Sequence, residues 1–248
     1  MSSSSSVSRT PRSIVTPGFD PDAQPVISSK ALAPLQAATL ELDFIRAAFN
    51  CPVEWVVEPV FAKSFSDGAA HEDVTHAAVF IALVQRLSGL HVIFTRRSPH
   101  LNDHAGQISF PGGRIEPDDP DAVAAALRET REEIGIDSQF VEVIGTQPCF
   151  LTSTRFTMKP VIGVVRPGFS ITPNLTEVAE VFEVPLSVLM DTRLHRLHEA
   201  RLPDGGHRFY FSISWRAYFI WGATAALVRN LYHYLAAAQG VLGTAPQS

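Results

Sequence analysis

The chain has 248 residues, 46% of them hydrophobic, and a formal net charge of −5 at pH 7, enough material for one well-packed domain with a sizeable core. That charge gives no electrostatic case for a nucleic acid or an anionic membrane as partner, and no apolar run reaches the roughly eighteen residues needed to span a bilayer. Two cysteines, Cys51 and Cys149, are too few for a disulfide framework and lack metal-ligand spacing, so they read as buried reduced thiols in a cytoplasmic setting.

Residues 1–30 carry a serine run, several prolines and few large apolar groups, which predicts a disordered N-terminal tail. Leu32 to Phe49 places Leu35, Leu42, Ile45 and Phe49 at helical spacing, and an irregular lead-in extends to residue 74. From 75 to 238 the pattern is that of a single domain. Ala77–Gln85 and Leu90–Thr95 read as paired strands about Ser88-Gly89. A glycine-rich loop and an acidic helix follow. Val141–Leu151, Met158–Val165 and Val181–Pro185 read as strands, with a helical turn at Leu186–Met190. Arg193–Arg201 and His207–Phe219 predict a hairpin about residues 203–206. Gly222–Ala238 predicts a closing amphipathic helix, with residues 239–248 a flexible end. Helices mixed with a central sheet place the chain in the α/β class with three layers.

The chemistry is concentrated between Phe110 and Ile136, where Phe-Pro-Gly-Gly is followed by an acidic connector and Arg-Glu-Thr-Arg-Glu-Glu-Ile-Gly-Ile. At about 100° per residue, Glu129, Glu132 and Glu133 share one face of a helix, while Val123, Leu127, Thr130 and Ile134 form the opposite, core-facing stripe. Ala122 and Ala125 fall on the glutamate face and are expected to leave room for a ligand. Crowded carboxylates repel one another, and such oxygen-rich sets suit hard cations such as Mg²⁺ or Mn²⁺. An acidic helix face is most often merely solvated; the glycine pair upstream and Gly135 at the helix end weigh against that here. Glu129 and Glu133, spaced i and i+4, are the expected direct metal ligands. Glu132 is a third ligand or a neighbour of the metal's ligands, and the Gly112 carbonyl a further donor. Arg128 is expected to steer a glutamate by a charge-assisted hydrogen bond. Asp119 reads as the helix N-cap with Pro120 at the first helical position.

This segment resembles the Nudix box, with its fixed points on Gly113, Arg128, Glu129, Glu132, Glu133, Gly135 and Ile136. The spacing from Gly113 to Arg128 is one residue longer than usual, and the first glutamate of the box is replaced by the Asp118-Asp119 region. Upstream, Thr95, Arg97, Ser98, Gly106, Phe110, Pro111, Gly112 and Gly113 are similar to the additional signature of the coenzyme A diphosphatase branch, with Asn102 standing where that signature usually has arginine. The resemblance implies a Nudix-type α/β/α sandwich with a mixed central sheet. It further implies Mg²⁺- or Mn²⁺-dependent hydrolysis of the diphosphate bond of CoA or acyl-CoA to 3′,5′-ADP and a 4′-phosphopantetheine compound. On this reading the partner is a small molecule, with a homodimer open. Glu129, Glu132, Glu133 and Arg128 carry catalysis with a general base from the box or from Glu177 or Glu180. Arg97, Ser98, His104, Gly106, Phe110 and Gly113 are substrate contacts, and Trp221, Phe150 and Phe156 are candidates to stack on a base. Two alternatives stay open: a Nudix hydrolase of ADP-ribose, a dinucleotide or another nucleoside diphosphate derivative, and a non-catalytic domain that senses a nucleotide.

Overall fold

The computed structural model describes residues 19–29, 31–66, 74–101, 104–201 and 205–243. Asn102, residues 1–18 of the expected tail and part of the expected 203–206 turn lie outside them. From the N-terminus, β1 (Val26–Ser28) and a 3-10 turn precede helix α1 (Leu42–Asn50), and β2 (Phe65–Ser66) leads into the long strands β3 (Thr75–Arg86) and β4 (Gly89–Arg97). Short strands β5 (Ile108–Ser109) and β6 (Gly112–Arg114) deliver the chain to helix α2 (Ala122–Ile134). Strands β7 (Val141–Thr146), β8 (Cys149–Leu151), β9 (Phe156–Val165) and β10 (Val178–Pro185) follow, then a helical turn α3 (Leu186–Leu189). The chain ends with β11 (His195–Arg201), β12 (His207–Trp215), β13 (Tyr218–Trp221) and the long helix α4 (Gly222–Leu242).

A mixed sheet runs in the order β10-β4-β3-β9-β8-β2, with β5 on β4, β6 on β3 and β7 on β9. Within it β3 and β9 are parallel and the other pairs antiparallel. Every residue of β3 from Ala77 to Val84 is buried. A strand buried on both faces reads as a continuous apolar run and needs cover on both sides. Val79, Ile81 and Leu83 face a core shared with α1 and α4. Ala78, Phe80, Ala82 and Val84 face the smaller core under α2. This is the α/β/α sandwich with a mixed central sheet that the sequence predicts.

A second, antiparallel sheet in the order β1-β11-β12-β13 was not anticipated as a unit. Phe211, Ile213 and Ile220 carry it into the larger core. Tyr218 stacks on Phe182 with ring centroids 3.7 Å apart, which joins it to β10.

Several expectations are corrected. The N-terminal stretch is structured from Phe19 onward, because Val26–Ser28 pairs with β11 and the carbonyls of Pro21 and Gln24 accept hydrogen bonds from Tyr210 and His198. The Leu32–Phe49 helix breaks at an extended Glu41, since the donors of Gln36 and Thr39 are used on Gln239 of α4 (2.7 Å each). The Val141–Leu151 strand is interrupted at Pro148, which has no N–H for the ladder. His207–Phe219 is two strands reversed at Arg216, whose φ is 53°. Helix α4 continues through residue 239 to Leu242 and is largely buried rather than amphipathic, being packed against β12, β13 and α1. The cysteines are half-buried, and neither forms a disulfide. Among the described residues no helix is long and apolar enough to cross a membrane.

One buried polar cluster ties the lead-in before β2 to α4. Glu58 Oε2 accepts from Arg229 Nε at 2.5 Å and from His233 Nε2 at 2.8 Å, and the Glu58 N–H donates to Asn230. Burial holds neighbouring His195 down to about 4, so it stays neutral beside Arg229. Removing one partner of a buried pair leaves the other charge uncompensated. Glu58→Gln should therefore lower stability by about 3 kcal/mol, read as a shift in the urea midpoint. A change within the scatter of surface substitutions would show that this cluster does not hold the lead-in.

Candidate functional site

The site lies where the central sheet splits. β3 and β4 pair only from Leu83–Val92 to Arg86–Gly89. Beyond that they diverge, β6 taking up Ala77–Val79 of β3 and β5 taking up Thr95 and Arg96 of β4. Phe110-Pro111 bridges the opening, with the Phe80 N–H donating to the Pro111 carbonyl at 2.8 Å. α2 packs across β3 and β6, capped by Asp121, whose carboxylate accepts from the Ala124 N–H, and closed by Gly135 in the left-handed region. Asp119 is therefore not the N-cap.

Two glycines let the helix carboxylates reach the strand. Gly112 has φ 150°, and a Cβ there would lie 2.3 Å from the Ala78 carbonyl oxygen, so no side chain fits. Its N–H donates to Glu133 Oε2 at 3.1 Å. A Cβ on Gly113 would fall 2.4–2.6 Å from the carboxylate atoms of Glu129. Both carboxylates thus rest against bare backbone.

Their electrostatics are unfavourable as they stand. Burial pushes Glu133, 3% exposed, up to about 7; the Gly112 N–H and Arg97 pull the other way, and Glu129 and Glu177 add to the rise. Burial also raises Glu129, against the pull of Arg128. Carboxylates withdrawn from water without a matching cation favour the protonated form. A hard cation would restore the balance, and the oxygen donors are of the right chemistry. Among the described residues no three His, Cys, Asp or Glu side chains form a ready cage. The donors pointing the same way are Glu129 and Glu133, with backbone and water left to complete a shell.

Glu132 is the exposed member of the three. Its side chain is 55% exposed and is held by Arg128 Nη1 at 3.0 Å, which also donates to Glu129. Arg128 is a hub: it also donates to both oxygens of Asp119 (3.0 and 2.9 Å) and to the Arg114 carbonyl. Arg128 holds the Asp119 carboxyl below its usual range, with help from the Glu116 N–H. Asp119 thus fills the role of partner to Arg128, which sequence spacing missed because the connector between them is not helical throughout.

The loop before β10 closes the far side. Asn174 N donates to the Glu133 carbonyl and Thr172 N to that of Ile134, both at 2.8 Å. Asn174 Nδ2 donates to Glu177 Oε1 at 3.1 Å. Ser98 clamps the same loop: its N–H donates to the Glu177 carbonyl and its hydroxyl to that of Leu175. Ser98 is 1% exposed, so it positions the loop instead of touching substrate. Glu180 accepts from Tyr218 at 2.6 Å and pairs with Arg96 at 3.2 Å. Of these two glutamates, Glu177 is the one whose charge reaches Glu129 and Glu133.

A cavity of about 860 Å³ opens beside the glycines, and Arg97, His104, Phe110, Gly112 and Gly113 line it together. Arg97 Nε is buried with no hydrogen-bond partner among the described residues. His104, at φ 57°, bonds Gln107 through Nδ1 at 2.9 Å. Gly106 makes the turn that returns its N–H to the Arg97 carbonyl and does not line the cavity. Phe110 is 2% exposed and stacks on Phe94, which makes it mainly a core residue. Phe150, Phe156 and Trp221 do reach the cavity, as does Arg114, whose guanidinium lies over the Phe156 ring. Ala125, expected to leave room for a ligand, is fully buried under α2, while Val123 and Leu127 are only half-buried. The helix is rotated so that its glutamate edge meets β6.

A family model described as the NUDIX domain matches residues 74–204. A protein of Enterobacter sp. (strain 638) described as uncharacterized Nudix hydrolase NudL is 41% identical over 157 residues, covering 62% of this chain and 80% of its own. Its counterpart in Escherichia coli (strain K12) is 42% identical over 158 residues with the same coverage. The crystal structure of a Nudix hydrolase from M. smegmatis, RenU, matches with a TM-score of 0.40 and 21% identity, over 54% of this chain and 80% of that one.

Two outcomes follow from this geometry. Gly113→Ala leaves an allowed backbone but puts a methyl where the Glu129 carboxylate sits. It should keep the thermal midpoint within a few degrees and weaken Mg²⁺ binding by about 10- to 100-fold, measured by calorimetry; unchanged affinity would show that Glu129 need not be there. Glu133 sets a pH dependence. Its folded pKa is raised to about 7, whereas the unfolded chain ionises near 4.3, so between those values the folded state holds the extra proton. Stability of the metal-free protein should therefore fall as pH rises through this window, by up to about 4 kcal/mol, and level off above it. Glu133→Gln should abolish that slope in chelator-treated unfolding titrations; an identical slope in the variant would assign the effect elsewhere.

Proposed function

This chain belongs to the Nudix family, and from that premise we propose that it is a Nudix hydrolase that cuts the diphosphate bond of CoA or acyl-CoA, yielding 3′,5′-ADP and a 4′-phosphopantetheine compound. One observation carries the substrate choice: Arg97, His104, Phe110, Gly112 and Gly113, scattered along the segment that resembles the CoA diphosphatase signature, line one cavity beside Glu129 and Glu133. A divalent cation held there would supply charge neutralisation for the phosphates and a lowered pKa for water. Mg²⁺ and Mn²⁺ suit this oxygen donor set. Glu129 and Glu133 would hold it, with Glu132 at the edge.

The remaining work falls to the chain's own groups. Arg97, which lines the cavity and whose charge reaches Glu133, would pair with a diphosphate oxygen. Glu177, fixed by Asn174 and by the Ser98 clamp, would accept the proton from the attacking water. The water oxygen bonds to one phosphorus as the bond from that phosphorus to the bridging oxygen breaks, and the other phosphate departs with the bridge. Arg128 holds Glu129 and Asp119 so that the acidic edge does not rearrange.

Hydrolysis of CoA in H₂¹⁸O with Mg²⁺ or Mn²⁺ should place the label in one of the two products, seen by mass spectrometry. Glu133→Gln should lower kcat by about 10²-fold or more, and Glu177→Gln should flatten the acid limb of the pH–rate profile. Intact CoA alongside hydrolysed ADP-ribose would overturn the substrate assignment.

A further inference from the structure

The cavity is larger than its diphosphate end requires. At about 860 Å³ it lies near the top of the range of roughly 300–1,000 Å³ that holds most small-molecule ligands. Away from Arg97 and the glycines, polar groups such as Thr152, His207 and Arg208 share the wall with aromatic rings, among them Phe19, Phe61, Phe150, Phe209, Tyr210 and Trp221. All of these rings except Phe150 lie outside residues 74–204, the part matched as the family domain. The N-terminal segment and the second sheet therefore extend the site beyond the catalytic fold.

We propose that this wall is a subsite for the apolar acyl-thioester arm of the substrate, a deepening that rests on the CoA reading above. Three observations favour a flexible chain over the adenine base. Phe19, Tyr210 and Trp221 meet edge-on or tilted, with interplanar angles of 76°, 46° and 69°, and Phe61 meets Phe150 at 83°. None of these four contacts presents parallel faces that would frame a slot for a planar base. The Tyr210 hydroxyl is already committed, donating to the Pro21 carbonyl at 2.6 Å, and is not free to read a base edge. Phe209 is 43% exposed on a strand whose next residues, Tyr210 to Ser212, are buried. An apolar group left open in a cavity continuous with the diphosphate end is what an acyl chain would cover.

Octanoyl-pantetheine, which has no diphosphate, tests the subsite directly on the full chain with Mg²⁺. Its affinity by calorimetry should exceed that of butanoyl-pantetheine by roughly two- to fourfold per added methylene. Phe19→Ser and Phe209→Ser, both at partly exposed positions, should each lower octanoyl-pantetheine affinity about tenfold. They should lower the ratio of kcat/KM for octanoyl-CoA over CoA by a similar factor. Affinity indifferent to chain length would overturn the proposal, and so would variants that weaken 3′,5′-ADP binding and leave octanoyl-pantetheine unaffected. Chain-length-dependent binding without CoA turnover would support the subsite and sink the CoA reading alone. CoA turnover without chain-length dependence would do the reverse.

Discussion

The burial of the Glu133 carboxylate is the constraint on which the other features of the site depend. A carboxylate withdrawn from water, with one backbone N–H and a nearby guanidinium as its support, is unfavourable in the free protein. It can sit there only because Gly112 lies against the Ala78 carbonyl without a side chain, which in turn requires β6 to add to β3 where β4 has turned away. The split of the sheet, the glycine pair and the helix register are thus a single geometric condition. A carboxylate held in this way would be relieved by a positive charge placed beside it.

Around that carboxylate the structure separates holding from acting. Arg128 binds Asp119, Glu129 and Glu132 and spans the connector and the helix. Ser98 grips the loop that carries Glu177, while Glu180, three residues on, is turned to Tyr218 and Arg96 at the seam between the two sheets. Farther out, Glu58 with Arg229 and His233 fixes the lead-in against α4, and strand β1 is stitched to β11. These attachments bring Phe19 and Phe61 to the cavity from parts of the chain far from the acidic helix.

The strongly periodic parts of the molecule were legible in the sequence. The buried strands β3, β4 and β9, the acidic helix with its left-handed glycine stop, and the mixed α/β architecture all follow from local pattern. Less legible were features set by distant partners. Asp119 looked like an N-cap because aspartate before proline is a good local start, yet Asp121 takes that place and Asp119 turns to Arg128. The first residues looked disordered because their composition is poor in large apolar groups, yet the backbone of β11 and the hydroxyl of Tyr210 supply partners from 19 onward that composition cannot foresee. Ser98 looked like a ligand contact because it stands among signature residues, yet its burial leaves it only the loop to hold.

By itself, the order of amino acids determined which acidic groups share a helix face. The spacing of Glu129 and Glu133 puts both on one side of any α-helix, since the backbone repeat is the same wherever the helix lies. Only the tertiary structure decided which of the acidic groups face one another, that Glu132 is drawn outward by Arg128, and that Glu177 and not Glu180 looks inward. The physical reason is range: helical periodicity is a property of a few neighbouring residues, whereas burial, charge compensation and the shape of the cavity arise from segments that meet only after the sheet has formed.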